Sequence, residues 1–142
     1  MQDNPEKVPF YIRSKKGDVL ERNQVYRIRF LNGQYDSRFT NISFLAECQD
    51  YNNVSVDTCK QLYFSVIGSD SALFHNPVHN VPHVNISSAE RIELLIVFDG
   101  KIGLKHENKI RKGSNEKIFL VSGNSQTTGN AASVIKQVFT LE

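Results

Sequence analysis

Hydrophobic and polar positions alternate with a period of two along most of this chain. In YRIRF, Tyr26, Ile28 and Phe30 fall on one side and Arg27 and Arg29 on the other, the pattern of a strand buried on one face. The same alternation groups Val8, Phe10 and Ile12, then Leu62, Phe64 and Val66, then Ile92, Leu94, Ile96 and Phe98, and near the end Ile135, Gln137, Phe139 and Leu141. Turn-forming clusters separate these runs at residues 15–18, 32–33, 68–70, 99–100 and 112–115. About eight short strands, regularly spaced turns and no stretch of helical periodicity predict an all-β fold, an antiparallel sandwich or barrel. Residues 122–133, SGNSQTTGNAAS, are the one low-complexity stretch and read as a flexible loop before the last strand.

Composition narrows the class. A chain of 142 residues is the usual size of one domain, so residues 1–142 are expected to share a single core. Apolar residues at 39% and nine Phe with five Tyr set the chain apart from disordered sequences. Lys plus Arg number 17 against 15 Asp plus Glu, and a net charge of +2 gives no electrostatic reason to expect nucleic acid or an anionic membrane as partner. The longest apolar run, residues 94–98, is strand-sized and far short of the roughly 20 residues that cross a bilayer as a helix. The polar start MQDNPEKVPF carries no basic-then-apolar leader, so Met1 reads as a cytosolic start or as a boundary with something upstream.

Cys48 and Cys59 are the only cysteines and flank a polar stretch, which suits a disulfide closing a hairpin loop. Three Asn-x-Ser sequons, at Asn41, Asn53 and Asn85, are candidate glycosylation sites in a eukaryotic source. Together these features point to an extracytoplasmic or secreted protein.

Candidate chemistry is sparse. His75, His79 and His83 recur every four residues, which on a helix would align three imidazoles for a metal ion, but Pro77 and Pro82 between them oppose a helix. A loop could still gather them around zinc or copper. A blue-copper site needs a cysteine thiolate, two histidines and usually a thioether; neither cysteine has a histidine close by in sequence, and Met1 is the single methionine. There is no Gly-x-Ser-x-Gly elbow, no phosphate-cradling loop, and Ser69 has no identifiable base, so no catalytic residue is assigned. Asp70, Glu90, Glu93 and Asp99 are candidate carboxylates, Asp70 and Asp99 at turn positions where Asp ordinarily accepts backbone hydrogen bonds. Arg27, Arg29, Arg38 and Arg91 read as a solvated or ion-paired face.

Three segments, in order, resemble the middle domain of three-domain multicopper oxidases, the group of laccases, bilirubin oxidase and the bacterial spore-coat laccases. Residues 25–44, VYRIRFLNGQYDSRFTNISF, look like that family's strand–Asn–turn–Arg–strand pattern. Residues 64–78, FSVIGSDSALFHNPV, are similar to its Ile-Gly-x-Asp-Gly-Gly stretch followed by Pro-Val, and residues 87–100, SSAERIELLIVFDG, to its Pro-Ala-Glu-Arg turn and following strand.

The resemblance implies a Greek-key, cupredoxin-like sandwich in which Asn32, Arg38, Gly68, Asp70, Glu90 and Arg91 hold turns and cross-strand pairs. It implies no cofactor in this chain, with copper in the parent protein held by flanking cupredoxin domains, while the middle domain spaces them and lines a substrate entrance. The parent would oxidise its substrate and reduce dioxygen to water. The alternative is a stand-alone secreted interaction module that uses the sandwich without catalysis.

Overall fold

The computed structural model describes residues 19–31, 40–50, 54–70, 72–87, 89–100, 107–113, 116–124 and 135–142. Among these there is no helix. The strands are β1 (Val19–Leu20), β2 (Val25–Leu31), β3 (Thr40–Ala46), β4 (Lys60–Gln61), β5 (Phe64–Ser69), β6 (Ala72–Val81), β7 (Val84–Ile86), β8 (Arg91–Val97), β9 (Glu116–Asn124) and β10 (Ile135–Leu141).

They form two sheets. One runs β1-β10-β9-β3, and the outer edge of β3 is shared by β4 at Leu45–Ala46 and β7 at Thr40–Ile42. The other runs β2-β8-β5-β6. Every pairing is antiparallel except the short one between β1 and β10.

The period-two pattern decides which face of each strand is dry. Tyr26, Ile28 and Phe30 of β2 lie opposite Ile96, Leu94 and Ile92 of β8, so one register turns all six apolar side chains to the same side. Phe64 and Val66 of β5 join them, and the other sheet answers with Ile42, Phe44, Ala46, Ile118, Leu120, Phe139 and Leu141. This is a sandwich-like core between two sheets. Phe44 sits at its centre, with ring centroids 6.5 Å from Phe30, 6.1 Å from Phe64 and 6.0 Å from Phe98.

A second, smaller cluster covers the opposite face of the β3–β9 sheet. Leu45, Phe119 and Val121 point away from the main core, yet all are buried, because the loop after β3 brings Val54, Cys48 and Cys59 over them. Cys48 and Cys59 are joined as a disulfide, with Cα atoms 4.1 Å apart. Inside the loop, the Thr58 hydroxyl accepts from the Ser55 N–H at 3.1 Å, and the Cys59 N–H donates to the Ser55 carbonyl at 3.1 Å. The disulfide closes a loop of separation 11, for which chain entropy gives a stabilisation of about 3 kcal/mol. Replacing both cysteines by alanine should lower the unfolding free energy in urea by about that much; a loss under about 0.5 kcal/mol would mean that the apolar cluster alone secures the loop.

Two sequence expectations need correction. Ser122, Gly123 and Asn124 belong to β9, paired with Ile42, Asn41 and Thr40, because cross-strand hydrogen bonding to β3 outweighs the weak strand preference of Ser, Gly and Asn. The stretch containing His75 and His79 is the edge strand β6, not a loop. Its Pro77 is tolerated because one side of that strand carries no partner among the described residues, and its pairing with β5 is broken by register shifts. The expected strand at Val8–Phe10–Ile12, and Asn32, Arg38 and Asn53, lie outside the described residues.

Candidate functional site

The three histidines are spread along the chain rather than gathered. On a strand, residues four apart stand about 13 Å apart, which separates His75 from His79, and His83 follows the end of β6. His79 Nδ1 lies 2.8 Å from the Ser65 hydroxyl on the neighbouring strand. A serine beside an imidazole is the beginning of a nucleophile–base pair, but Ser65 is only 3% exposed, which closes it to a substrate and leaves a hydrogen bond that satisfies a buried hydroxyl. Among the described residues no three His, Cys, Asp or Glu side chains are placed to share a metal ion. Both cysteines are committed to the disulfide, so the thiolate that a blue-copper centre needs is not offered here. The residues present do not fit a copper site of that kind.

The outer face of the β2–β8 pair carries charge. Glu93 faces Arg29 across the ladder, and its Oε1 accepts from Arg29 Nε at 2.5 Å and from Arg27 at 2.8–2.9 Å. The Arg29 hydrogen bond chiefly holds the Glu93 carboxyl below the ordinary carboxylate range; burial opposes it, and the Arg27 hydrogen bond and both charges assist. Arg29 remains 75% exposed, so the group is an ordered surface ion-pair network rather than a closed site.

The other concentration of polar contacts lies at the end of the sandwich where β8 finishes. Arg22 donates to Asp99 Oδ2 at 2.9 Å and to the carbonyls of Ile110 and Arg111 at 3.2 and 3.1 Å. Asp99 accepts the Ile110 N–H at 3.3 Å, while the Asn23 N–H donates to the Phe98 carbonyl at 2.9 Å. Asn23 and Asp99 both adopt positive φ, 60° and 56°, values that Asn and Asp tolerate better than other side chains. A Cβ at Gly100 would meet the Asn23 side chain, so any larger residue there makes Asn23 shift.

Beneath this network Asn108, 3% exposed, spends its amide on backbone. Its Nδ2 donates to the Tyr63 carbonyl at 2.7 Å and the Val97 carbonyl at 2.9 Å, and its Oδ1 accepts the Tyr63 N–H at 2.8 Å. Neither Arg22 nor Asn108 stands out in the sequence. A lone Asn in an irregular segment carries no pattern, and the turn at residues 99–100 was the only local signal.

Burial raises the Asp99 carboxyl, but the Arg22 hydrogen bond, the Ile110 N–H and the charges of Arg22 and Lys112 together outweigh it and hold the group below its ordinary value of 3.8. A depressed folded value gives stability that is fully present above the unfolded value and is lost as pH falls through the folded one. The Asp99→Asn variant should therefore be less stable than the parent at neutral pH, and the difference should shrink on acidification from about pH 5 to pH 2. A difference independent of pH across that window, measured by urea unfolding, would show that the charge of Asp99 contributes nothing.

The motif residues within reach are structural neighbours of one another. Gly68 lies inside β5 at a bulge, where its pairing with both β6 and β8 shifts register, one step earlier than the turn it was expected to serve. Asp70 follows β5 with φ 51°. Its N–H donates to the Arg91 carbonyl at 2.9 Å and its Oδ1 accepts the Arg91 N–H at 3.4 Å, so two separate sequence segments meet there. Glu90 closes its own turn, its N–H donating to the Ser87 carbonyl at 3.0 Å and its carboxylate accepting from Ser87 N–H and Oγ at 3.4 and 3.3 Å. These contacts hold the backbone of the two turns together. No family model, curated protein or solved structure matches this chain.

Proposed function

We propose that this chain is a copper-free middle domain of Greek-key cupredoxin type in a multicopper oxidase, serving as a scaffold and a wall of the substrate entrance in an extracytoplasmic protein. The observation that carries the reading is where the three resembling segments fall. Residues 25–44, 64–78 and 87–100 supply β2, β5, most of β6, and β8, which make up the β2-β8-β5-β6 sheet, and also residues 40–44 of β3 in the facing sheet. Segments far apart in sequence thus form one continuous surface, and the Asp70–Arg91 contact ties the second to the third.

One further feature supports it. The Cys48–Cys59 disulfide suits an oxidising compartment. On this reading flanking domains supply the copper ligands, and the contribution of this chain is shape and spacing.

The test is the size of the native polypeptide, detected in its source with an antibody raised against these residues. A species several times the mass of these 142 residues, with copper co-purifying, is the expected result. A native species of this chain's own mass without copper overturns it and leaves a stand-alone interaction module.

A further inference from the structure

The two sequons at Asn41 and Asn85 meet in the fold. Asn41 in β3 and Asn85 in β7 are direct cross-strand partners, flanked by the Thr40–Ile86 and Ile42–Val84 pairs. Ile42 and Ile86 are buried in the main core and Val84 packs against it, so the alternation turns both asparagines to the opposite face. Side chains so paired have Cβ atoms about 5 Å apart. That is close to the spacing of adjacent strands, about 4.8 Å, so two glycans attached there would crowd one another.

The two positions are not equivalent. Asn41 lies between β7 and β9 and is half-buried. Two residues on, Ser43 shares its face at 3% exposure, and the Ser43 hydroxyl donates to Asn41 Oδ1 in a long contact of 3.5 Å. Two residues further, Leu45 is fully buried under the disulfide-closed loop. Asn85 is exposed, on a short strand that pairs with β3 and no other strand among the described residues.

We propose that Asn85 carries an N-linked glycan in the folded protein and that its partner Asn41 does not. Transfer from an oligosaccharyl lipid diphosphate joins the anomeric carbon of the sugar to Asn85 Nδ2. The bond from that carbon to the diphosphate oxygen breaks, the amide nitrogen gives up one proton, and the lipid diphosphate leaves. A sugar attached to Asn41 before folding would have to fit a half-buried position between two strands, so such chains do not reach the folded pool. On Asn85 the glycan projects from a strand edge and blocks further pairing there. The proposal does not depend on the oxidase reading.

The test is secretion of the whole chain from a eukaryotic host, followed by enzymatic deglycosylation in heavy-oxygen water and peptide mapping of the folded product. Label at Asn85 and none at Asn41 is the expected result. The Asn85→Gln variant should lose one glycan from its intact mass and gain none at Asn41, whereas Asn41→Gln should leave the glycan mass unchanged. Label at Asn41 in the secreted parent or in Asn85→Gln, or an unlabelled Asn85 in the parent, overturns the proposal. The parent peptide map decides it even if a variant is not secreted.

Discussion

Replacing Phe44 by alanine should remove about 4 kcal/mol of unfolding free energy, within the range seen when a fully buried Phe is truncated. Phe44 projects from β3 between the sheets, 1% exposed, and its ring meets Phe30 of β2, Phe64 of β5 and Phe98 after β8. The loss combines the transfer energy of the ring with a cavity that both sheets border. It also removes three tilted or edge-on ring contacts, each worth about 1 kcal/mol in similar cases. Packing elsewhere cannot relax to fill the space without moving one sheet against the other. Phe44→Leu keeps most of the volume and should cost about 1–2 kcal/mol. Urea unfolding of both variants checks this, and a drop below about 1 kcal/mol for Phe44→Ala would mean that the aromatic cluster is not the junction of the sheets.

Asn108→Ala should also be costly, about 2–4 kcal/mol, for a different reason. The substitution removes little apolar area, but it takes away two part-buried hydrogen bonds to Tyr63 backbone, each worth about 1 kcal/mol, and the buried bond to the Val97 carbonyl, whose loss costs about 1–3 kcal/mol. Asn108→Asp is the sharper probe, because it preserves shape while turning a donor into a second oxygen facing two carbonyls. It should be at least as destabilising as alanine at neutral pH. If Asn108→Asp unfolds at the same urea concentration as the parent, the amide is not what joins the start of β5 to the end of β8.

The inward-facing half of the fold was legible in the sequence. Tyr26, Ile28, Phe30, Leu62, Phe64, Val66, Ile92, Leu94, Ile96 and Phe98 all belong to or pack against the main core, since burial of one face imposes strict alternation. Elements whose burial follows other rules were not legible. β9 buries both faces along residues 118–121, Ile-Phe-Leu-Val, so its apolar run shows no period. β6 is an edge strand with a proline and a register shift, and carries little alternation to read. The outer cluster on Leu45 and Phe119 depends on the disulfide-closed loop folding back, and sequence spacing suggested the closure but not what it would cover. Asn108 was invisible because its role is set by backbone groups, and backbone carries no sequence signature.

The order of strands also bears on how fast the chain can find this structure. Among the described strands, only β3–β4, β5–β6 and β9–β10 join strands that follow one another in the chain. The pairings that define the sheets are distant: Tyr26 with Ile96, Phe44 with Leu120, Val19 with Thr140. Each requires a long loop to close before any contact offsets the lost entropy, so the relative contact order is high and refolding belongs in the millisecond-to-second range typical of β-sandwiches. Pairings between strands close in sequence form on a scale of about 10 microseconds, so these three should precede the meeting of β2 with β8 and of β3 with β9. During that interval strand edges and half-formed apolar faces stay open to other copies, so refolding yield should fall as protein concentration rises.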